Sequence, residues 1–311
     1  LINMNKNEAK RFLESHGYIV HKFLGEGAFS KVFKCKNPQN QLVAAKVICA
    51  SSDQEIQMEV KAAKEIEKAK PLDFNKYQFE FSKEFKQRAE DYYKYLNVPT
   101  VKEVAADGVL NVVIEAPLVD DDTWSSIIES ARDRKVLYAE YKKLAIGVLK
   151  ALIVLNARGL AHYDIKPANI FQCTSPGGLT KYSLGDFGLL CETLDPEDGQ
   201  DGQDDYRRRG TPFYAAPEIL RGVLKSDQIK KVDVYSLGVT LFEMYLTKVN
   251  CIRLVNNMPQ TIKKLQTGTY DPGASAPIIK QNFFDFLKLC TKLNPSQRPT
   301  PKQALSHAFL G

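Results

Sequence analysis

Apolar positions along the chain change period from element to element. Ala9, Phe12 and Leu13 share one helical face of residues 5 to 16, which predicts a short helix. From Tyr18 to Leu24 the apolar positions alternate and predict a strand. Further strands are predicted at Val32–Lys36 and Leu42–Cys49, joined by the turn Asn37-Pro38-Gln39-Asn40. Helical spacing returns from about Asp53 to Lys68, with Ala62, Ala63 and Ile66 inward, and Pro71 breaks it. Val101–Ala106, Asp107-Gly108 and Val109–Glu115 read as a hairpin. Beyond Asp120 the pattern is mainly helical. Val136–Arg158 is a long helix ended by Gly159, Lys181–Leu184 a short strand, Val232–Tyr245 an apolar helix and Ala304–Leu310 a closing helix. Strands lead and helices follow, which predicts an α+β fold.

Residues 70 to 97 interrupt this plan. They are dense in aromatics: Phe74, Tyr77, Phe79, Phe81, Phe85, Tyr92, Tyr93 and Tyr95. Tyr77, Phe79 and Phe81 alternate as in a strand, and Lys83 to Leu96 reads as an amphipathic helix. So many aromatics do not all face water. The favoured reading is an extension of the core of the first part. The sharper alternative is a docking surface for a regulatory partner. Asp120-Asp121-Asp122-Thr123 reads as a helix cap and acidic first turn before Trp124.

The chain has 311 residues, 44% hydrophobic and 26% charged, enough for one large domain or two lobes. A net charge of +6 with both signs interspersed gives no argument for nucleic acid. Six cysteines are spread without a Cys-x-x-Cys pair, so neither a zinc site nor a disulfide framework is expected. Reduced thiols fit the cytosol or nucleus. The longest apolar run, Leu144 to Leu155, carries Lys150 and is too short to span a bilayer, so no membrane segment is expected. Leu1-Ile2-Asn3-Met4 has no signal-peptide pattern. Because the chain does not begin with Met, the reading allows for a fragment whose flanks carry targeting signals.

One stretch concentrates chemistry: His162-Tyr163-Asp164-Ile165-Lys166-Pro167-Ala168-Asn169, followed by Asp186-Phe187-Gly188. A carboxylate, an ammonium and a carboxamide lie within six positions, and a second carboxylate follows beside a glycine. Phosphoryl transfer from a nucleotide needs this set: a carboxylate to orient the hydroxyl, a cation for the moving phosphoryl group, and oxygen donors for Mg²⁺. The stretch resembles the catalytic loop of eukaryotic-type protein kinases and their metal-binding turn.

Other motifs follow in the family's order. Gly25-Glu26-Gly27-Ala28-Phe29-Ser30-Lys31-Val32 resembles the glycine-rich phosphate loop, with Ser30 where a third glycine is common. Val43-Ala44-Ala45-Lys46 resembles the strand carrying the phosphate-binding lysine, and Glu59 is its expected partner, with Glu55 the alternative one turn earlier. The resemblance implies an ATP site formed by Gly25, Gly27, Ser30, Val32, Ala44, Lys46, Glu59, Ile114, Glu115, Ala116 and Phe171. Asp164 and Lys166 are the implied catalytic residues, and Asn169 and Asp186 the implied Mg²⁺ ligands. Lys166 resembles serine/threonine kinases more than typical tyrosine kinases. Tyr163 departs from the family, which often has an arginine there to meet a phosphate on the activation segment. A neutral phenol cannot do this. Gly210-Thr211-Pro212-Phe213-Tyr214-Ala215-Ala216-Pro217-Glu218 resembles the loop that seats a protein substrate, with Arg298 the expected partner of Glu218. The acidic run Asp195–Asp205 within the activation segment reads as mobile.

The resemblance covers residues 18 to 310. It implies a two-lobed protein kinase, with a helical extension at 1–17, a β-rich lobe at 18–116 and a helical lobe at 117–311. The expected reaction is transfer of the γ-phosphoryl group of MgATP to a protein hydroxyl, of serine or threonine. Asp164–Phe171 and Leu184–Leu190 also look like the Wee/Myt branch, and related phrases occur in the mitotic Nek branch. The alternatives are a pseudokinase-like signalling scaffold, motivated by Tyr163, the insertion and the acidic segment, and a small-molecule kinase, disfavoured by Gly210–Glu218.

Overall fold

The structure, a computed structural model, describes residues 4–26, 30–49, 60–61, 63–64, 66–67, 96, 98–106, 109–117, 134–174, 180–192, 210–223, 228–270 and 276–311. These fall into two compact units. One takes the described residues within Leu1–Lys76, Asn97–Val119 and Asp186–Gly188, and the other takes the rest.

The first unit opens with α1 (Lys6–Ser15). The Asn5 side chain accepts from the amides of Asn7 and Glu8, and the Glu8 carboxylate accepts from the Asn5 amide. This reciprocal cap satisfies donors that the first helical turn leaves over. An antiparallel sheet of five strands follows: β1 (Ile19–Glu26), β2 (Ser30–Lys36), β3 (Leu42–Cys49), β4 (Thr100–Ala106) and β5 (Val109–Pro117), in the order β1-β2-β3-β5-β4. Side-chain alternation gives the sheet two faces. Phe33, Cys35, Val43, Ala45, Val47 and Val113 pack with Ala9, Phe12 and Leu13 of α1. Ile48, Val112 and Ile114 pack with Val60 and Ala63 of a helical stretch within 60–67. Lys46 lies on this second face, one step from Ile48 on β3. The Glu67 carboxylate accepts from the Val101 amide at 3.1 Å and ties the end of that stretch to β4.

β5 runs further than the sequence pattern suggested. It pairs with β3 as far as Val43↔Pro117, but with β4 only to Thr100↔Glu115. Ala116 and Pro117 therefore have a strand on one edge only, among the described residues.

The second unit is built on α2 (Arg134–Ala157), whose residues from Leu144 to Leu155 are mostly buried. Helix α2 passes so close to the strand that carries Tyr182, in the same unit, that a Cβ at Gly147 would collide with the Tyr182 carbonyl. The strands here are β6 (Leu160–Ala161), β7 (Ile170–Thr174), β8 (Thr180–Leu184) and β9 (Cys191–Glu192), paired as β6-β9 and β7-β8. Leu96, expected to end a helix, instead makes an isolated bridge to Leu184. The remaining helices are α3 (Pro217–Leu220), α4 (Ile229–Lys248), α5 (Ile252–Val255), α6 (Met258–Gln266), α7 (Ile278–Cys290) and α8 (Pro301–Leu305). The closing helix is shorter than expected and ends at Leu305, with turns to Leu310. A ring cluster of Tyr141, Phe242, Tyr245, Phe283 and Phe284 joins α2, α4 and α7. No helix among the described residues is long and apolar enough to cross a membrane.

Candidate active site

The loop after β6 is braced from α4. Asp233 is almost fully buried and accepts from the amides of His162 (2.7 Å) and Tyr163 (2.8 Å). Burial raises the Asp233 carboxyl above its ordinary range, against the opposing pull of His162 and the two amides. The His162 ring spans the loop. Its Nδ1 accepts from the Asp164 amide at 3.3 Å, so the proton sits on Nε2, which donates to the Gly185 carbonyl at 3.1 Å. This holds Tyr163 at a φ of +66°, a strained angle for a non-glycine residue, with its side chain buried.

Asp164 is the centre of the resulting geometry. Oδ1 accepts from the Thr211 amide at 3.0 Å and the Thr211 hydroxyl at 2.7 Å. Oδ2 meets Lys166 Nζ at 2.7 Å and accepts from Asn169 Nδ2 at 3.0 Å. Burial alone would raise the Asp164 carboxyl, but the bonds from Lys166 and Thr211 outweigh it and hold it below the ordinary carboxylate range. Lys166 Nζ also donates to Thr211 Oγ1 at 2.9 Å. The Thr211 hydroxyl thus sits between a carboxylate and an ammonium. Asn169 spends its amide nitrogen on Asp164, at the carbonyl (2.8 Å) and at Oδ2, which fixes its carbonyl oxygen as the end left for a cation. Ile170 and Phe171 open β7, the first buried and the second half-buried.

The loop from Gly210 to Glu218 is fastened at both ends. Gly210 has a φ of +93°, and a Cβ there would collide with the Tyr163 carbonyl, so only glycine fits. At the other end Glu218 and the fully buried Arg298 form a two-pronged pair at 2.6 and 3.2 Å. Arg298 spends its other donors on the carbonyls of Lys292 and Lys231 and lies over the Tyr235 ring. Midway, the Tyr214 hydroxyl donates to Glu243 at 2.8 Å. That contact was not read from the sequence.

In the first unit, Lys46 Nζ lies 3.5 Å from Asp186 Oδ1. Asp186 is well exposed and has a φ of +56°. Val32 pairs with Lys46 across β2-β3, and Ile114 pairs with it across β3-β5. Ala44 pairs with Ala116. Gly25 lies in β1, and Ser30 is already inside β2, buried and opposite Ile48. Gly27, Glu59, the stretch 70–95, Asp120–Thr123 and residues 193–209 lie outside the described residues.

The Glu115 side chain is turned into the sheet. Its carboxylate accepts from Tyr18 (2.6 Å), Asn37 (3.1 Å) and Lys102 (2.6 Å). Burial would raise this carboxyl, but the bonds from Lys102, Tyr18 and Asn37 outweigh it and hold it below the ordinary range. The neighbouring Cys35 thiol is pushed up to about 12, first by burial and then by the Glu115 charge. No sequence spacing pointed to this set.

Comparison with known proteins agrees with the geometry. The sequence model of the protein kinase domain matches residues 18–310, and the chain belongs to that family. Its relatives include serine/threonine kinases. Serine/threonine-protein kinase dst3 of Dictyostelium discoideum is 26% identical over 94% of this chain and 46% of its own length. Serine/threonine-protein kinase 10 of Homo sapiens is 28% identical over 92% of this chain and 26% of its own length. Serine/threonine-protein kinase BCK1/SLK1/SSP31 of Saccharomyces cerevisiae is 34% identical over 54% of this chain and 11% of its own length. The chain thus spans less than half the length of each of these relatives. The family acts on protein substrates and generally uses ATP with Mg²⁺.

Proposed function

We propose that this protein transfers the γ-phosphoryl group of MgATP to serine or threonine hydroxyls of other proteins. The observation that carries the reading is the seat of the Thr211 hydroxyl, 2.7 Å from Asp164 Oδ1 and 2.9 Å from Lys166 Nζ. A carboxylate and ammonium that hold one aliphatic hydroxyl have the spacing to hold a substrate's. Asp164 orients that hydroxyl and takes its proton late. Its depressed pKa makes it a weak base, so positioning is its larger contribution. Lys166 supplies positive charge to the transferring group, and Lys46 balances the nucleotide phosphates.

The donors suit Mg²⁺, which takes one or two protein oxygens together with substrate phosphates. The exposed Asp186 carboxylate and the Asn169 carbonyl oxygen, freed by the commitment of its nitrogen to Asp164, are the residues that would hold it. When bound, the ion supplies Lewis-acid charge to the phosphates.

Tyr163 is buried and donates its amide to Asp233, and a phenol brings no charge to an activation-segment phosphate. We therefore expect activity that survives phosphatase treatment of the purified protein. A drop to background after that treatment would show that Tyr163 has been misread.

The test of function is transfer from γ-labelled MgATP to mixed proteins by the wild type, Lys46→Met and Asp164→Asn, followed by phosphoamino-acid analysis. Label on serine and threonine that disappears in both variants is the expected result. Label on tyrosine would favour the Wee/Myt resemblance. MgATP binding with no transfer to any protein would favour the scaffold.

A further inference from the structure

The Glu115 cluster does no work in that mechanism, and packing alone does not account for it. Val113, two residues earlier on the same face of β5, meets the core of α1 as an ordinary apolar residue. A carboxylate in such a place has a desolvation cost that an apolar side chain avoids. Here that cost is met by three donors from three separate elements. Tyr18 follows α1, Asn37 begins the turn between β2 and β3, and Lys102 lies on β4. The turn is itself locked, because Asn37 Oδ1 accepts from the amides of Gln39 and Gln41. Lys102 Nζ also lies 5.6 Å from the centre of the Tyr18 ring.

The position along β5 gives the cluster its consequence. Glu115 is the last residue of β5 with a partner on β4. Among the described residues, Ala116 and Pro117, the next two, have only β3 beside them, which leaves one backbone edge without a strand partner. Pro117 has no N–H, so that edge offers carbonyl oxygens and few donors. The course of a short stretch held on one edge by β3 also depends on the last residue held on both edges, here Glu115. Glu115 is fixed from the α1 side of the sheet, and α1 precedes the region that the kinase family covers.

We propose that Glu115 is a positioning residue for the nucleotide: its carboxylate, clamped by Tyr18, Asn37 and Lys102, sets the Ala116–Pro117 edge against which the base is held. The N-terminal helix is thereby coupled to nucleotide affinity through Tyr18. This rests on the MgATP reading above. Glu115 touches no substrate through its side chain in this account. It acts through the backbone that follows it.

The experiment compares MgATP KM and kcat, and MgATP affinity by calorimetry, in the wild type, Tyr18→Phe, Glu115→Gln and Val47→Ala. Val47 is buried on the same face and belongs to no polar cluster, so it reports loss of packing alone. Tyr18→Phe loses one bond to the buried charge, and Glu115→Gln loses the charge that all three donors meet; each is expected to raise KM and the dissociation constant by about five- to tenfold or more. Their kcat at saturating MgATP should be little changed, because neither side chain acts on the transferring group in this account. Val47→Ala should lower the unfolding temperature and leave KM alone. Tyr18→Phe keeps the experiment decisive should Glu115→Gln fail to fold. Unchanged KM in both polar variants, or an equal rise in Val47→Ala, overturns the proposal while wild-type transfer leaves the kinase reading standing. A wild type that binds no MgATP overturns both.

Discussion

Asp164 in the second unit and Glu115 in the first are both buried carboxylates met by a lysine, at 2.7 and 2.6 Å. Both stay ionised because their bonds outweigh burial. Their shells differ in kind. Around Asp164 the donors come from two loops and are chemically mixed: an ammonium and an amide from its own loop, and a hydroxyl and a backbone N–H from Thr211. A hydroxyl is already accommodated there, so another can compete for the place. Around Glu115 the donors come from three elements and close the sheet on one side. Under the proposed function one carboxylate is set out for a reacting group, and under the proposal for β5 the other holds backbone. Similar pKa directions do not by themselves tell a catalytic carboxylate from a positioning one.

The sharpest way to break this comparison is by paired variants. Asp164→Asn should lower kcat by about 10²–10⁴-fold, with a stability cost of the same order as that of Glu115→Gln, because each removes a buried charge that its partners stabilise. Glu115→Gln should leave kcat nearly intact and cost about 1–3 kcal/mol of stability in urea unfolding. Comparable kcat losses in both would erase the distinction. A second variant sets the scale for a purely structural ion pair. Arg298→Met strands the Glu218 carboxylate in the core and should cost about 3–5 kcal/mol, with partial recovery when Glu218→Gln is added. No recovery would mean that Arg298 acts mainly through the Lys231 and Lys292 carbonyls.

The smallest effect expected is in pH. A carboxylate whose folded pKa is depressed contributes stability above its unfolded value, and that contribution is lost as pH falls through the folded one. For Glu115 the loss should begin below about pH 4.3, the ordinary glutamate value. Stability measured from pH 6 downwards should therefore fall more steeply in the wild type than in Glu115→Gln once that value is passed. Parallel curves would mean that Glu115 gains nothing from its partners.

This contrast also marks what the sequence made legible. Asp164, Lys166, Asn169, Thr211 and the Glu218–Arg298 pair lie in motifs, because chemistry that needs several groups on one loop leaves a spacing. The five strands and α1 followed from apolar period together with the turns at Asn37–Asn40 and Asp107-Gly108. Tyr18, Asn37, Lys102 and Glu115 share no spacing. They meet because strand order places β2, β3, β4 and β5 side by side, and pairing register is not a property of any local stretch. The extension of β5 through Pro117 was missed for a similar reason: proline reads as a stop, yet at a strand end with one free edge it has no ladder bond to lose. The Tyr214–Glu243 contact spans 29 residues and needed the fold of α4 against the substrate loop.

The most direct test of the central claim is the initial rate of γ-phosphoryl transfer to serine and threonine at saturating MgATP, wild type against Asp164→Asn. The account expects a fall of about 10²–10⁴-fold with MgATP affinity unchanged and both proteins folded at the assay temperature. Equal rates in the two proteins, or a wild type that binds MgATP and labels no protein, would contradict it.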